Sequence, residues 1–141
     1  MKLADVNVLV SAFRPDAEHH AECKAWLEQL IGSDVPFAVS PQVLSSVIRI
    51  ATHRRIFRTP SILSEVLTFC SALMELPNAS IVTPGAGHWA IFERLCREAN
   101  ATDDLVPDAW FAALAIEHNC QWVTLDRDFA RFSGLRWRGL E

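Results

Sequence analysis

Apolar residues follow two rhythms along this chain, short unbroken runs and spacings of three and four, the marks of buried strands alternating with amphipathic helices. Residues 2–13, Lys-Leu-Ala-Asp-Val-Asn-Val-Leu-Val-Ser-Ala-Phe, begin as a short buried strand that passes into a turn or helix start near Asp5 to Asn7. Pro15 and Asp16 predict a helix opening, since Pro is tolerated in a first turn and Asp suits the positive end of the dipole. Ala21, Ala25, Trp26 and Leu30 follow at helical spacing, and Gly32-Ser33 stops the run. Val35–Val39 predicts a second strand. Ser40-Pro41 reads as an N-cap followed by Pro at the first helical position. Val43, Leu44, Val47, Ile48 and Ala51 then mark one face of the helix.

Ser61–Leu76 predicts an amphipathic helix through Ile62, Val66, Leu67, Phe69, Cys70, Leu73 and Leu76, ended by Pro77-Asn78. Ser80–Val82 is a third strand. Gly85 and Gly87 separate it from a helix carrying Trp89, Ile91, Phe92, Leu95 and Cys96. The Ala-rich run Asp108–His118 favours helix by propensity. Gln121–Leu125 is a fourth strand, Asp126 to Phe129 a short helical turn, and Leu135–Trp137 a last strand. Strands alternating with helices predict an α/β domain with a mostly parallel central sheet and helices on both faces. The two helices between the second and third strands fit one crossover.

At 141 residues the chain suits one domain, 1–141. Half the residues are apolar and no run approaches the roughly 20 residues of a membrane span. Asp5 interrupts the N-terminal apolar stretch, which argues against a secretory leader. Cys23, Cys70, Cys96 and Cys120 are widely spaced with no C-x-x-C pair, as expected of reduced, mostly buried thiols in a cytoplasmic protein. The net charge of −4 argues against a non-specific nucleic-acid coat protein. Of 13 basic residues only Lys2 and Lys24 are lysines. That bias suits bidentate phosphate contact, and a GC-rich genome explains it equally well.

Functional groups of a parallel sheet gather at the carboxyl ends of its strands. Asp5 ends the first strand, Asp126 and Asp128 follow the fourth, and Asp108 lies in the first turn of the helix before it. Carboxylates that converge without basic partners repel one another, and a hard divalent cation such as Mg²⁺ or Mn²⁺ removes the conflict. Each acid also has a plain reading. Asp5 can cap a turn, Asp108 can serve its helix dipole, and Asp126 with Asp128 can form an Asp turn. Asp103 and Asp104 read as capping residues. Thr124 either orients the carboxylates or faces solvent from its strand. Asn7 is a turn amide or a ligand for a water or phosphate oxygen.

Four segments together resemble the PIN-domain family, especially the VapC toxins of bacterial toxin–antitoxin pairs. They are Leu3-Ala-Asp-Val-Asn-Val-Leu-Val10; Ser40-Pro41 through Thr52, with Arg49, followed by Ile56-Phe57; Leu105-Val-Pro-Asp108-Ala with Ala112-Ala-Leu-Ala-Ile-Glu-His118; and Val123-Thr-Leu-Asp126-Arg-Asp128-Phe-Ala-Arg-Phe132. The resemblance implies a three-layer PIN-like α/β fold and a Mg²⁺- or Mn²⁺-dependent endoribonuclease. It also implies an RNA substrate, a VapB-like antitoxin partner and a homodimer. The family's acids carry over onto Asp5, Asp108 and Asp126 as metal ligands, with Asp128 as an accessory acid. The Glu often found on the helix after the second strand is replaced by Ser46, and Asp104 stands as a partial substitute.

Arg49, His53, Arg54, Arg55 and Arg58 form a basic stretch at a helix end that suits RNA phosphate or the helix dipole. Arg127 and Arg131 flank the acids more closely, so Arg49, Arg127 and Arg131 are the expected RNA contacts. His19, His20 and His88 share no metal-site spacing and are expected on the surface or partly packed. Two other classes remain open. A phosphotransfer or receiver domain would want a late Lys, and none follows Lys24. A catalytically weak PIN fold would bind RNA or a partner without cutting.

Overall fold

Three residues near the start of the chain, β1 (Lys2–Ala4), form the middle strand of the sheet. The computed structural model describes all 141 residues. After β1 come α1 (Val6–Phe13), α2 (His20–Gly32), β2 (Phe37–Val39), α3 (Pro41–Ala51), α4 (Leu63–Glu75), β3 (Ala79–Ile81), α5 (His88–Ala99), α6 (Leu105–Glu117) and β4 (Gln121–Val123). A 3₁₀ turn (Arg127–Arg131) and β5 (Trp137–Arg138) complete the chain. The strand order is β3-β2-β1-β4-β5, and every pair is parallel rather than most of them. Leu3 lies opposite Ala38 on one side and Trp122 on the other.

A parallel sheet covered on both faces needs unbroken apolar strands. Phe37, Ala38 and Val39 are all buried, as are Trp122 and Val123. Ala109, Ala112, Ala113 and Ala115 on α6 are also buried, and their small side chains let that helix approach closely. Fully buried Leu3, Val8, Val47 and Leu114 each contribute roughly 1.5–3 kcal/mol of transfer free energy. Ser40 caps α3 as its sequence predicts, its hydroxyl accepting from Val43 N at 3.2 Å, with Pro41 in the first turn.

The second helix departs from expectation. It starts at His20, not at Pro15-Asp16, because Asp16 has another partner. Arg14, buried at the end of α1, donates Nε and Nη2 to the two Asp16 oxygens at 3.0 and 2.7 Å. The same guanidinium donates to Ser61 Oγ and Thr59 O, each at 2.8 Å, and stacks on Phe57. Asp16 therefore closes a fork, and the backbone from Arg14 to His19 turns. The inward face of α2 is Cys23 and Leu27, while Ala21 and Ala25 point outward. His88, expected on the surface or partly packed, is fully buried, its Nε2 against Trp110 O at 2.9 Å. The four cysteines are free, three of them buried. No helix is long and apolar enough to cross a membrane.

The strand order fixes where a site can lie. The chain builds outward from β1 through β2 to β3, then crosses to β4 and β5 on the other side. The reversal leaves a crevice between the carboxyl ends of β1 and β4, where parallel sheets bind ligands.

Candidate active site

Both strands beside that crevice end in polar residues. The ladder of β1 and β4 continues one step beyond the strands, with Asp5 N donating to Val123 O at 2.8 Å. That bond brings Asp5 alongside Thr124. Asp5 is the N-cap of α1, and its Oδ1 accepts from Val6 N at 2.6 Å. Its Oδ2 accepts from the Thr124 hydroxyl, also at 2.6 Å. Thr124 Oγ1 in turn accepts from Asp126 N at 3.0 Å and from Asn7 Nδ2 at 3.4 Å. Asn7 Oδ1 accepts from Leu125 N at 3.3 Å. One buried hydroxyl thus ties the start of α1 to the loop after β4. Of the two readings open for Thr124, the orienting one agrees with this geometry. Asn7 works as a brace between the same two segments.

Asp5, Asp104, Asp108 and Asp126 line a common cleft of about 540 Å³, together with Asn7, Ser46 and Arg49. Asp108 reaches it from the first turn of α6, and no side chain or backbone N–H of the chain hydrogen-bonds its carboxyl oxygens. Asp104 is exposed at the mouth. Asp126 Oδ1 accepts from Asp128 N at 2.9 Å, so Asp128 supports Asp126 through its backbone. The Asp128 side chain is largely exposed, 3.9 Å from Arg131. Arg131 still bears on the site, drawing the Asp108 carboxyl downward by its charge. Arg127 lines a different depression with His19, Thr124 and Trp137. Of the three expected RNA contacts, only Arg49 lines the cleft itself. A depression of similar size at the opposite rim of the sheet, lined by Lys2, Trp26, Arg136 and Arg138, gathers no aspartate.

The cleft holds more negative charge than its own cations balance. Burial pushes Asp5 up to about 7, against the pull of its bonds from Thr124 and Val6, and repulsion from Asp108 and Asp126 adds to the rise. Asp108 is pushed up to about 6 by burial first, then by Asp126, Asp104 and Asp128. Carboxyls raised by burial and by one another suit a hard cation with oxygen ligands. No three acids stand close enough to grip one ion directly as they lie. Mg²⁺ does not need that, because it usually keeps several waters and takes only one or two carboxylates. The donor set fits an ion held partly through water.

Two positions escaped the sequence reading. Glu117 accepts from Gly85 N at 2.8 Å and Gly87 N at 3.0 Å, pinning the loop before α5. Arg14 fixes residues 57–61 behind the basic stretch. Both contacts join distant segments, and neither residue type announces such a role. The Gly-x-Gly spacing was the only local hint for Glu117.

Residues 2–135 match the PIN domain family. "Ribonuclease VapC25" of Mycobacterium tuberculosis is 43% identical over 136 residues, covering 96% of this chain and 96% of that protein. "VapC ribonuclease Mb2897" of Mycobacterium bovis is 40% identical over 138 residues, covering 98% and 94%. Among solved structures, a VapBC2 complex from Rickettsia felis bound to a promoter DNA fragment aligns with a TM-score of 0.71 at 17% identity, covering 98% and 97%. Mycobacterium tuberculosis VapC20, described as a sarcin-ricin loop cleaving toxin, aligns at 0.67 with 14% identity, covering 96% and 99%.

Proposed function

This chain belongs to the PIN domain family, and on that premise we propose that it is an endoribonuclease toxin of the VapC type, cutting RNA phosphodiesters by metal-assisted hydrolysis. The observation that carries the reading is the shared cleft of Asp5, Asp108 and Asp126, whose charge the protein does not balance. These three would hold a Mg²⁺ or Mn²⁺ ion directly or through water, with Asp128 and Asp104 as outer acids. Such an ion, when bound, neutralises phosphodiester charge and lowers the pKa of water.

The protein's own part is positioning. Thr124 holds the Asp5 carboxylate in one rotamer and fixes the backbone of Asp126, so two of the three acids share one anchor. Asp108, without a bond, keeps its oxygens available. Arg49 offers a cation for phosphate at the rim. No protein nucleophile is required. The test is incubation of the purified protein with RNA in Mg²⁺ or Mn²⁺, then in chelator, beside Asp108→Asn. New RNA ends should appear only with metal and wild type. Ends that persist in chelator or in the variant would reject the site, and metal-independent RNA binding without cutting would favour a binding module.

The VapBC2 complex of like fold, taken with the VapC-named relatives, supports a small antitoxin as partner. Pairing of two copies is supported by the start of α4, where Ile62 at the cap and Leu63 and Leu67 in the helix stand 61%, 55% and 42% exposed. Sedimentation at micromolar concentration should give a dimer, and a monomer alone would remove that part of the reading.

A further inference from the structure

Beside the acidic cleft, at Ser46, lies a second, widely open cavity of about 320 Å³, lined by Gln42, Ser45, Ser46, Pro107, Trp110 and Phe111. Ser46, Pro107 and Phe111 border both spaces, so the two are neighbours. We propose that this neutral cavity is a nucleobase subsite, holding a base of the strand whose phosphate enters the cleft. The inference rests on the RNA reading and adds a determinant of sequence preference to it.

Charge separates the two spaces. The cleft has four aspartates and one arginine, whereas none of the six residues around the second cavity is charged. A phosphate gains nothing there, and an uncharged planar base does. Trp110 and Phe111 supply aromatic surface, and bases of any sequence stack on such surfaces. Selectivity comes from the polar members. Trp110 Nε1 donates to Gln42 Oε1 at 2.6 Å, which orients the amide and leaves its NH₂ group without a partner in the chain. The hydroxyls of Ser45 and Ser46 have no protein partner either. These are the donors and acceptors that a base edge needs.

Helix geometry gives the subsite a direction. Gln42, Ser45, Ser46 and Arg49 fall at i, i+3, i+4 and i+7 on α3, so they form one stripe. The cavity lies at one end of the stripe, beside Gln42, Ser45 and Ser46, and the acidic cleft at the other, beside Ser46 and the Arg49 cation. Trp110 is two residues beyond Asp108 in the first turns of α6, so one helix carries both an aromatic wall of the pocket and a candidate metal ligand. A strand laid along α3 would place one base in the cavity, the adjoining phosphate at the acids and the next phosphate at Arg49. A glutamate at position 46 would put a charge across the junction; serine leaves it open.

The test uses the four uncharged ribonucleosides, which the aspartates do not repel, added to ¹⁵N-labelled protein in chelator. The indole N–H signal of Trp110 is identified by its loss in Trp110→Phe and by its shift in Gln42→Ala. One or two nucleosides should move that signal, with half-saturation roughly 2- to 12-fold higher in Gln42→Ala, the cost of one hydrogen bond. Ser45→Phe, at an exposed position, should block the shift while the other indole signals stay in place. No movement with any nucleoside up to solubility overturns the subsite, even if the protein cuts RNA. Equal movement in wild type, Gln42→Ala and Ser45→Phe overturns it too. Movement in a protein that cuts no RNA keeps the base pocket and removes the nuclease reading.

Discussion

Asp5→Asn is expected to lower RNA cleavage about a thousandfold and, in the same preparation stripped of metal, to melt at a higher temperature than wild type at pH 7.5. The loss follows from removing one acid of the three around the ion, since metal stabilisation of transition-state charge is worth several kcal/mol, or roughly a factor of a thousand. The gain follows from burial. Asp5 is only 6% exposed and its carboxyl sits near 7 rather than 3.8. Holding it ionised without a cation costs on the order of 2–4 kcal/mol at neutral pH. Asparagine keeps the shape and the bond from Val6 N and removes the charge, at the cost of the bond from the Thr124 hydroxyl, which is smaller than the charge penalty. For a chain of this size the gain is roughly 5–15 °C. Calorimetry beside a cleavage assay reads both. A variant that is less stable than wild type at pH 7.5 in chelator would contradict the account of an unbalanced buried acid, and one that still cuts would remove Asp5 from the site.

Wild type in chelator is expected to lose stability as pH rises from about 4 to about 8, and Mg²⁺ or Mn²⁺ is expected to restore more of it at pH 8 than at pH 5. Asp5 and Asp108 have folded pKa values near 7 and 6, above the ordinary 3.8, so the folded chain holds protons that the unfolded chain has released. Stability tied to those protons is complete below about pH 4 and falls away as pH climbs through 6 and then 7. Asp16 works in the opposite sense, because Arg14 holds it low and its pairing is lost towards acid. The cation competes with the protons, so its stabilising effect grows where they have left. Thr124→Val sharpens the slope, because Thr124 donates to the ionised form of Asp5. Equal metal stabilisation at pH 5 and pH 8 would show that these carboxyls are not the ligands.

The fold was legible where burial is simple. β1, β2, β4, the Ser40-Pro41 helix start and the Ala-rich helix all follow from local pattern, and the structure has each within a few residues of expectation. The acids at the strand ends were legible because a charge that ends an apolar run lacks a packing reason. Polar residues with distant partners were not. Asp16 reads as a helix opener until Arg14 is seen folding back on it. His88 reads as surface or partly packed, and only the approach of Trp110 O shows it fully enclosed. Thr124 was open between two roles because its strand neighbours do not reveal which face holds Asp5. Arg127 sits beside the acids in sequence and turns to another surface. Each case depends on an approach across the fold, and no local spacing encodes it.

The pairing of β1 with β4 has a consequence for biosynthesis. Asp5 leaves the ribosome early, yet the residue that fixes it, Thr124, is made 119 positions later. A nascent chain can begin to order its N-terminal half, but its central strand stays unpaired along one edge until residues 121–123 emerge. The bond between Asp5 and Thr124 therefore forms only late in synthesis of this segment. The cleft that gathers Asp5 and Asp126 can close only after residues 121–126 have emerged.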